Sequence, residues 1–282
     1  MTGKLSHILH AVYCEPWLIS AEMHWQISRI VEAHLDGSAH EAAGIAAIFE
    51  PQEAQPITKI IDDTVAVISI SGVIGKRVSA IEQSSGVVDV DVIGAALETA
   101  LRDEMIEAII LDINSPGGTV TGVSELADQV RLGTERKQII AYTDTMAASA
   151  AYWIGSQAWA FVAAPSSIIG SIGVFRPVTD ESARFAAEGV TVDIIKSGKF
   201  KGMGIRGTTL TEDQRANLEE RAIFIHDQFK AAVRAGRGGD VSDAIMEGQD
   251  FLGEQAVQVG LIDIVGDMAE AFRLIDRKVE TA

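Results

Sequence analysis

EAIILDINSPGGTVTGVSELADQV, residues 107–130, is the stretch whose reading decides the fold. Ala108, Ile109, Ile110, Leu111 and Ile113 make a short, almost unbroken apolar run, the pattern of a strand buried on both faces. Asn114, Ser115, Pro116, Gly117 and Gly118 stop it, and from Val120 to Leu132 apolar residues return at helical spacing. A strand, a tight glycine turn and an amphipathic helix form half of a βαβ unit, which predicts a largely parallel sheet.

The neighbouring sequence repeats the alternation. TVAVISISGVI (64–74) predicts a strand, DVIGAALETALRDE (91–104) a helix, QIIAYTD (138–144) a strand, then a helix starting near Ala147, the strand AFVAA (160–164) and VTVDIIK (190–196) as a further strand. A long helix is expected from about Thr211 to Ala235, with Thr211 and Gln214 as a capping box and Gly236 in the left-handed C-terminal position. FLGEQAVQVGLIDIVGDMAEAFRLI (251–275) reads as a short helix, a turn at Gly260, a short strand and a closing helix. Residues 1 to about 48, including Trp17, Ile19 and Met23, look helical, and EPQEAQP (50–56) has the composition of a linker. The expected division is therefore 1–56, a helical N-terminal segment and linker, and 57–282, the main α/β domain. The polar loop 77–91 is expected to be mobile.

Composition limits the function. The 282 residues are 47% hydrophobic, enough for a sizeable core, and 40 acidic against 23 basic residues leave a net charge of -17, which disfavours binding to nucleic acid. Cys14 is the single cysteine, so no intrachain disulfide is possible and a packing role is the simplest one. The N-terminus does not read as a secretory signal, and no apolar run approaches the roughly 18 residues of a membrane span. A soluble chain in a host or bacterial cytoplasm is expected.

Two features could carry chemistry. The Gly117–Gly118 pair can aim backbone N–H groups into a cleft, as an oxyanion hole requires, or can simply make a tight turn; it lacks the Gly-Lys-Ser/Thr ending of a phosphate loop. TMAASAAYW (145–153) places one hydroxyl, Ser149, among alanines, where it is either a nucleophile or a small packing residue. A nucleophilic serine needs a base. His7, His10, His24, His34 and His40 all precede the linker, and His226 lies within the long helix among Ile223, Phe229 and Ala232, where a satisfied helix histidine is expected. The other source is a lysine, whose pKa of about 10.4 must fall by roughly 3 units, about 4 kcal/mol, through burial. KSGKFK offers Lys196, Lys199 and Lys201, each of which alone reads as a surface charge.

NSPGG (114–118), MAASAAYW (146–153), GSIGV (170–174), KSGKFK (196–201) and GEQAVQVGLID (253–263), in this order, resemble the signal peptide peptidase A family of serine peptidases, and within it the capsid-assembly (prohead) proteases of tailed phages, the minor capsid protein C type. The resemblance implies an α/β, crotonase-like (Clp-type protease) fold and a Ser-Lys dyad without cofactor or metal. By motif position Ser149 matches the nucleophile and Lys201 the general base, with Lys199 the residue that could be confused with it. Gly118 and Ala150 match the oxyanion N–H donors, Gly117 supports that turn, and Ser171 matches the serine that orients the lysine. The family often has glycine after its Ala-Ala-Ser; here Ala150 keeps the N–H.

The implied partners are peptide or protein substrates, with scaffold and capsid proteins and the chain itself expected, and other copies of the chain in a ring with active sites near subunit interfaces. No nucleic acid or membrane partner is implied, and the implied location is a phage prohead in the host cytoplasm. Soluble bacterial signal peptide degradation, a Clp-type subunit with a histidine base, a crotonase-type acyl-CoA enzyme and an inactive scaffolding homologue are the alternatives.

Overall fold

The computed structural model describes residues 16–35, 56–78, 86–239 and 241–279. Cys14, the helical reading of 36–48, residues 50–55 of the linker and residues 79–85 of the 77–91 loop lie outside them. In chain order, β1 (Trp17–Ile19) and α1 (Ala21–Leu35) precede β2 (Thr58–Ile61), β3 (Val65–Ser71), β4 (Val73–Gly75), β5 (Val87–Asp89) and α2 (Val90–Arg102). The deciding stretch supplies β6 (Ala108–Asn114), β7 (Gly117–Thr119) and α3 (Val123–Gly133). Next come β8 (Gln138–Thr143), β9 (Met146–Ala148), α4 (Ala150–Gly155), β10 (Ala160–Ala163), β11 (Ile168–Gly170) and α5 (Ser182–Ala187). The long α6 (Glu212–Arg237), β12 (Asp250–Leu252), α7 (Gly253–Gln258), β13 (Ile264–Val265) and α8 (Met268–Val279) complete the order.

The α/β expectation holds. Six strands form one sheet in the order β13-β10-β8-β6-β3-β2, parallel throughout except where β2 runs against β3. The apolar runs are nearly continuous because both faces are covered. On one face Ile109, Leu111, Ile139, Ala141 and Phe161 share a core with Ile93 and Leu97 of α2 and Leu126 and Val130 of α3. On the other, Ile110, Ile140, Tyr142 and Val162 meet Ala271, Leu274 and Ile275 of α8.

Two smaller sheets, β1-β7-β4-β5 and β12-β11-β9, draw most of their strands from the chain just beyond the central ones. β4 comes directly after β3, β7 after β6, β9 after β8 and β11 after β10. The chain therefore gathers its loops past the carboxyl ends of the parallel strands, where ligands of open α/β sheets bind.

Four local expectations change. The run at 64–74 is two strands in two sheets, β3 and β4, because the chain leaves the central sheet at Gly72. Trp17 and Ile19 are strand rather than helix, and the helix of that region starts at Ala21. VTVDIIK has a strand's alternation but no partner strand among the described residues: it is irregular, and Ile195 is 98% exposed. The long helix has the predicted capping box, with the Thr211 hydroxyl accepting from Gln214 N–H and the Gln214 side chain accepting from Thr211 N–H. Its end, however, is Gly238, at φ 90°, not Gly236.

Gly236 lies inside α6 for a different reason. A Cβ there would stand 2.1 Å from the Ser156 carbonyl oxygen and 2.9 Å from Gln157 Nε2, so the missing side chain lets α6 rest on the end of α4. Gly to Ala in an open helix stabilises by about 1 kcal/mol. Here overpacking outweighs that gain: Gly236→Ala is expected to destabilise the fold by about 1–3 kcal/mol, read as a lower midpoint in urea. A raised midpoint would refute the close approach.

Candidate active site

β9 ends at Ala148 and α4 begins at Ala150, so Ser149 is the single residue that turns a strand into a helix. Its backbone sits at φ 55°, ψ -117°, a region almost reserved for glycine and costing about 1–3 kcal/mol for any other residue. Three backbone contacts hold it there. Ser149 N–H donates to Gly170 O at 2.8 Å, Ser149 O accepts from Trp153 N–H at 2.9 Å, and Ala148 N–H donates to Ser115 O at 3.1 Å. The flanking Ala147, Ala148, Ala150 and Ala151 are fully buried and leave no side chain over the turn. Ser149 is 1% exposed, and its Oγ is buried without a hydrogen-bond partner. A packing serine normally satisfies its hydroxyl; this one is kept unsatisfied at a strained corner.

The glycine turn forms one wall. Gly117 has φ 102°, and a Cβ on it would stand 3.0 Å from Ser149 Cβ and 2.1 Å from the Leu18 carbonyl oxygen. Gly118 faces the other way, with Ile74 O 1.8 Å from where its Cβ would be. Ser115, buried, accepts from Gly117 N–H through its hydroxyl at 3.2 Å, and an isolated bridge joins Ser115 to Ala147, so this turn and β9 are tied together.

The opposite wall is β11 with the residues that continue it. Gly170 and Ser171 are consecutive positive-φ residues, at 107° and 53°, and Ser171 N–H donates to Gln249 O at 2.9 Å. β11 pairs with β12 so that Gly170 opposes Asp250. Asp250 is an exposed residue whose carboxyl is partly desolvated, which raises its pKa above the usual aspartate value, and a hydrogen bond with the Ser171 side chain draws it part of the way back. Sequence reading missed Asp250: it reaches Ser171 only through the pairing of strands far apart in the chain, and nothing local marks it.

Ser149, Ala150, Gly117, Ser115 and Ser171 thus converge. The lysines do not. Lys201 is exposed on the irregular segment after residue 190, Lys199 pairs with Asp213 at 2.6 Å, and Lys196 donates to Lys199 O at 3.1 Å. His226 is the satisfied helix histidine expected of it, with Nε2 at 3.1 Å from Ile172 O and 2.6 Å from Met246 O.

A family model, Peptidase family S49, matches residues 131–281. Capsid assembly protease C of Escherichia phage lambda is 29% identical over 212 residues, covering 75% of this chain and 48% of that protein. The head-tail preconnector protein GP5 of Enterobacteria phage P21 is 28% identical, over 75% of this chain and 42% of its own. Protease 4 of Haemophilus influenzae is 30% identical over 236 residues, which are 79% of this chain and 36% of that protein. The chain matches about half or less of the length of these relatives.

The Asp250 carboxyl gives a pH test. A raised folded-state pKa means that the native protein holds this proton more tightly than the unfolded chain, so its contribution to stability is complete below the ordinary aspartate pKa and is lost as pH rises through the raised one. Asp250→Asn is expected to melt higher than the unsubstituted chain at about pH 7, with the difference closing by about pH 3. A pH-independent difference in melting temperature would contradict it.

Proposed function

The chain belongs to peptidase family S49, and from that premise we propose that it is a serine endopeptidase whose nucleophile is Ser149 and whose general base is Lys201. The observation that carries this reading is the Ser149 hydroxyl: buried, without a partner, on a backbone held in strain between a glycine turn and Gly170.

In the proposed reaction, neutral Lys201 takes the Ser149 proton as Oγ attacks a peptide carbonyl. The N–H groups of Gly118 and Ala150 hold the tetrahedral oxyanion, with Gly117 shaping the turn. Ala150 is the first residue of α4, where a backbone N–H has no intrahelical acceptor. Losing one such donor costs about 2.7–4 kcal/mol of transition-state stabilisation. The lysine ammonium then protonates the leaving amine, and water hydrolyses the acyl-enzyme by the same proton route. Ser171 orients the lysine.

An exposed lysine stays protonated near neutral pH and is no base. We infer that Lys201 reaches Ser149 of another copy, where packing between copies takes its side chain out of water. The segment carrying it is suited to that, since Ile195, Phe200 and Ile205 all present apolar surface to solvent beside Lys201. Activity then belongs to a ring of copies with shared sites.

The proposed substrates are scaffold and capsid-assembly proteins within a phage prohead, and the chain itself. The alignments with lambda protease C and with GP5 of phage P21 support this reading, and the alignment with Protease 4, over 79% of the chain, supports bacterial peptide degradation, the second reading. Co-expression with candidate scaffold and capsid proteins, scored by intact mass, tests it: cleavage products are expected for the unsubstituted chain and none for Ser149→Ala.

Mixing tests the shared dyad. Ser149→Ala and Lys201→Ala are each expected to be inactive, and refolding the two together in equal amounts should restore up to about a quarter of the activity, because random neighbours pair an intact serine with an intact lysine at that frequency. No recovery in a correctly sized oligomer would place both dyad residues in one chain.

A further inference from the structure

Ser149 is 1% exposed, and a nucleophile that no carbonyl can reach is blocked. The blocking group belongs to the same chain. β1 lies in the slot between the two walls of the site: Trp17, Leu18 and Ile19 pair antiparallel with Thr119, Gly118 and Gly117 on one side. On the other, Trp17 N–H donates to Phe175 O at 2.8 Å and Phe175 N–H donates to Trp17 O at 3.1 Å. Ser20 N–H completes the set by donating to Pro116 O at 3.2 Å. The Leu18 carbonyl and Ser149 Cβ press on the same point beside Gly117, which puts the β1 backbone against the candidate nucleophile.

Take β1 away and the slot has two unpaired strand edges facing each other, Gly117–Thr119 and the stretch at Phe175, with Ser149 at one end. Such a slot accepts an extended peptide by adding it as a strand, with main-chain hydrogen bonds on both sides. β1 satisfies that description. Its side chains are anchored as well: Leu18 enters the main core, while Trp17 and Ile19 pack with Val31, Met23 and Ile27 of α1 and with Phe175 in a small separate cluster. Trp17 and Phe175 each make an edge-on ring contact with His24, so α1 clamps the strand from outside.

We propose that the segment Trp17–Ser20 is a tethered occupant of the substrate groove, which holds the peptidase shut until it is displaced. The inference rests on the peptidase reading and adds its regulation. A tethered strand competes at an effective concentration near the millimolar range, so free peptides are excluded unless α1 and β1 lift together. The same pairing says what the groove takes: an extended segment with large apolar side chains, as in Trp-Leu-Ile.

The test is binding, which needs no chemistry. In a Ser149→Ala background, a fluorescent peptide EPWLISAE copying residues 15–22 is titrated against the full chain and against Trp17→Ser/Ile19→Ser, which empties the small cluster and leaves the main core intact. Where that double substitution fails to fold, a site-specific protease sequence inserted after residue 45 allows the segment to be cut and diluted away after folding. The opened protein is expected to bind the peptide at least about ten-fold more tightly than the intact chain, and the same opening with Ser149 restored to raise peptide hydrolysis by a similar factor. Equal binding and hydrolysis in intact and opened protein would overturn the inference and spare the peptidase reading. A folded opened protein that has lost both would overturn it too, making β1 a permanent wall of the groove. Tighter binding without hydrolysis would support the occupant and sink the peptidase reading instead.

Discussion

The hydrogen bond from Ser149 N–H to Gly170 O, 2.8 Å long, is the constraint on which the site depends. It joins the end of β9 to the end of β11 where a non-glycine residue holds a backbone conformation it would otherwise leave. Every other feature around it supports that corner. Ser115 fixes β9 from the far side, and α4 starts on the next residue, so the strain cannot relax into the strand or into the helix. A side chain held this way spends its freedom before any substrate arrives, which is what a preorganised nucleophile requires.

The corner in turn rests on α4, a single buried helix of six residues. Tyr152 donates its hydroxyl to Leu261 O at 2.7 Å, Trp153 stacks on Phe229 of α6 with ring centres 4.6 Å apart, and Gly236 lets α6 close over Ser156. The end of α6 is pinned by Arg237, whose guanidinium is nearly buried and pairs at 2.5 Å with Asp263, while Asp263 also accepts from Phe161 N–H. The long helix therefore supports the site through packing, the Arg237–Asp263 ion pair and the contacts of His226 with Ile172 O and Met246 O.

The central sheet was legible because burial on both faces writes a run of aliphatic residues that no exposed segment tolerates; β6 and β8 match their sequence patterns closely. The serine, the glycine turn and Ser171 were legible as motifs, although strain at Ser149 leaves no trace in residue types. Where the reading failed, a local pattern had two physical causes. Gly236 fits a helix end or a close approach equally well, and only the position of Ser156 decides between them. The alternation of VTVDII needs a neighbouring strand to become one, and none among the described residues is paired with it. WLI is too short to show any period, and Asp250 meets Ser171 through a register set by the whole sheet. Lys201 was assigned by motif alone, and within the single chain it is exposed.

The place of β1 along the polypeptide has a temporal consequence. Trp17–Ile19 leaves the ribosome long before Gly117–Thr119 and Ser149, so the strand that covers the candidate nucleophile exists before the groove it fills. The groove can close around its occupant as soon as both walls are made. If β1 is the occupant proposed above, a nascent chain built in this order shields the surrounding proteins from its groove from the moment that groove forms, with no separate inhibitor to be made in matching amounts.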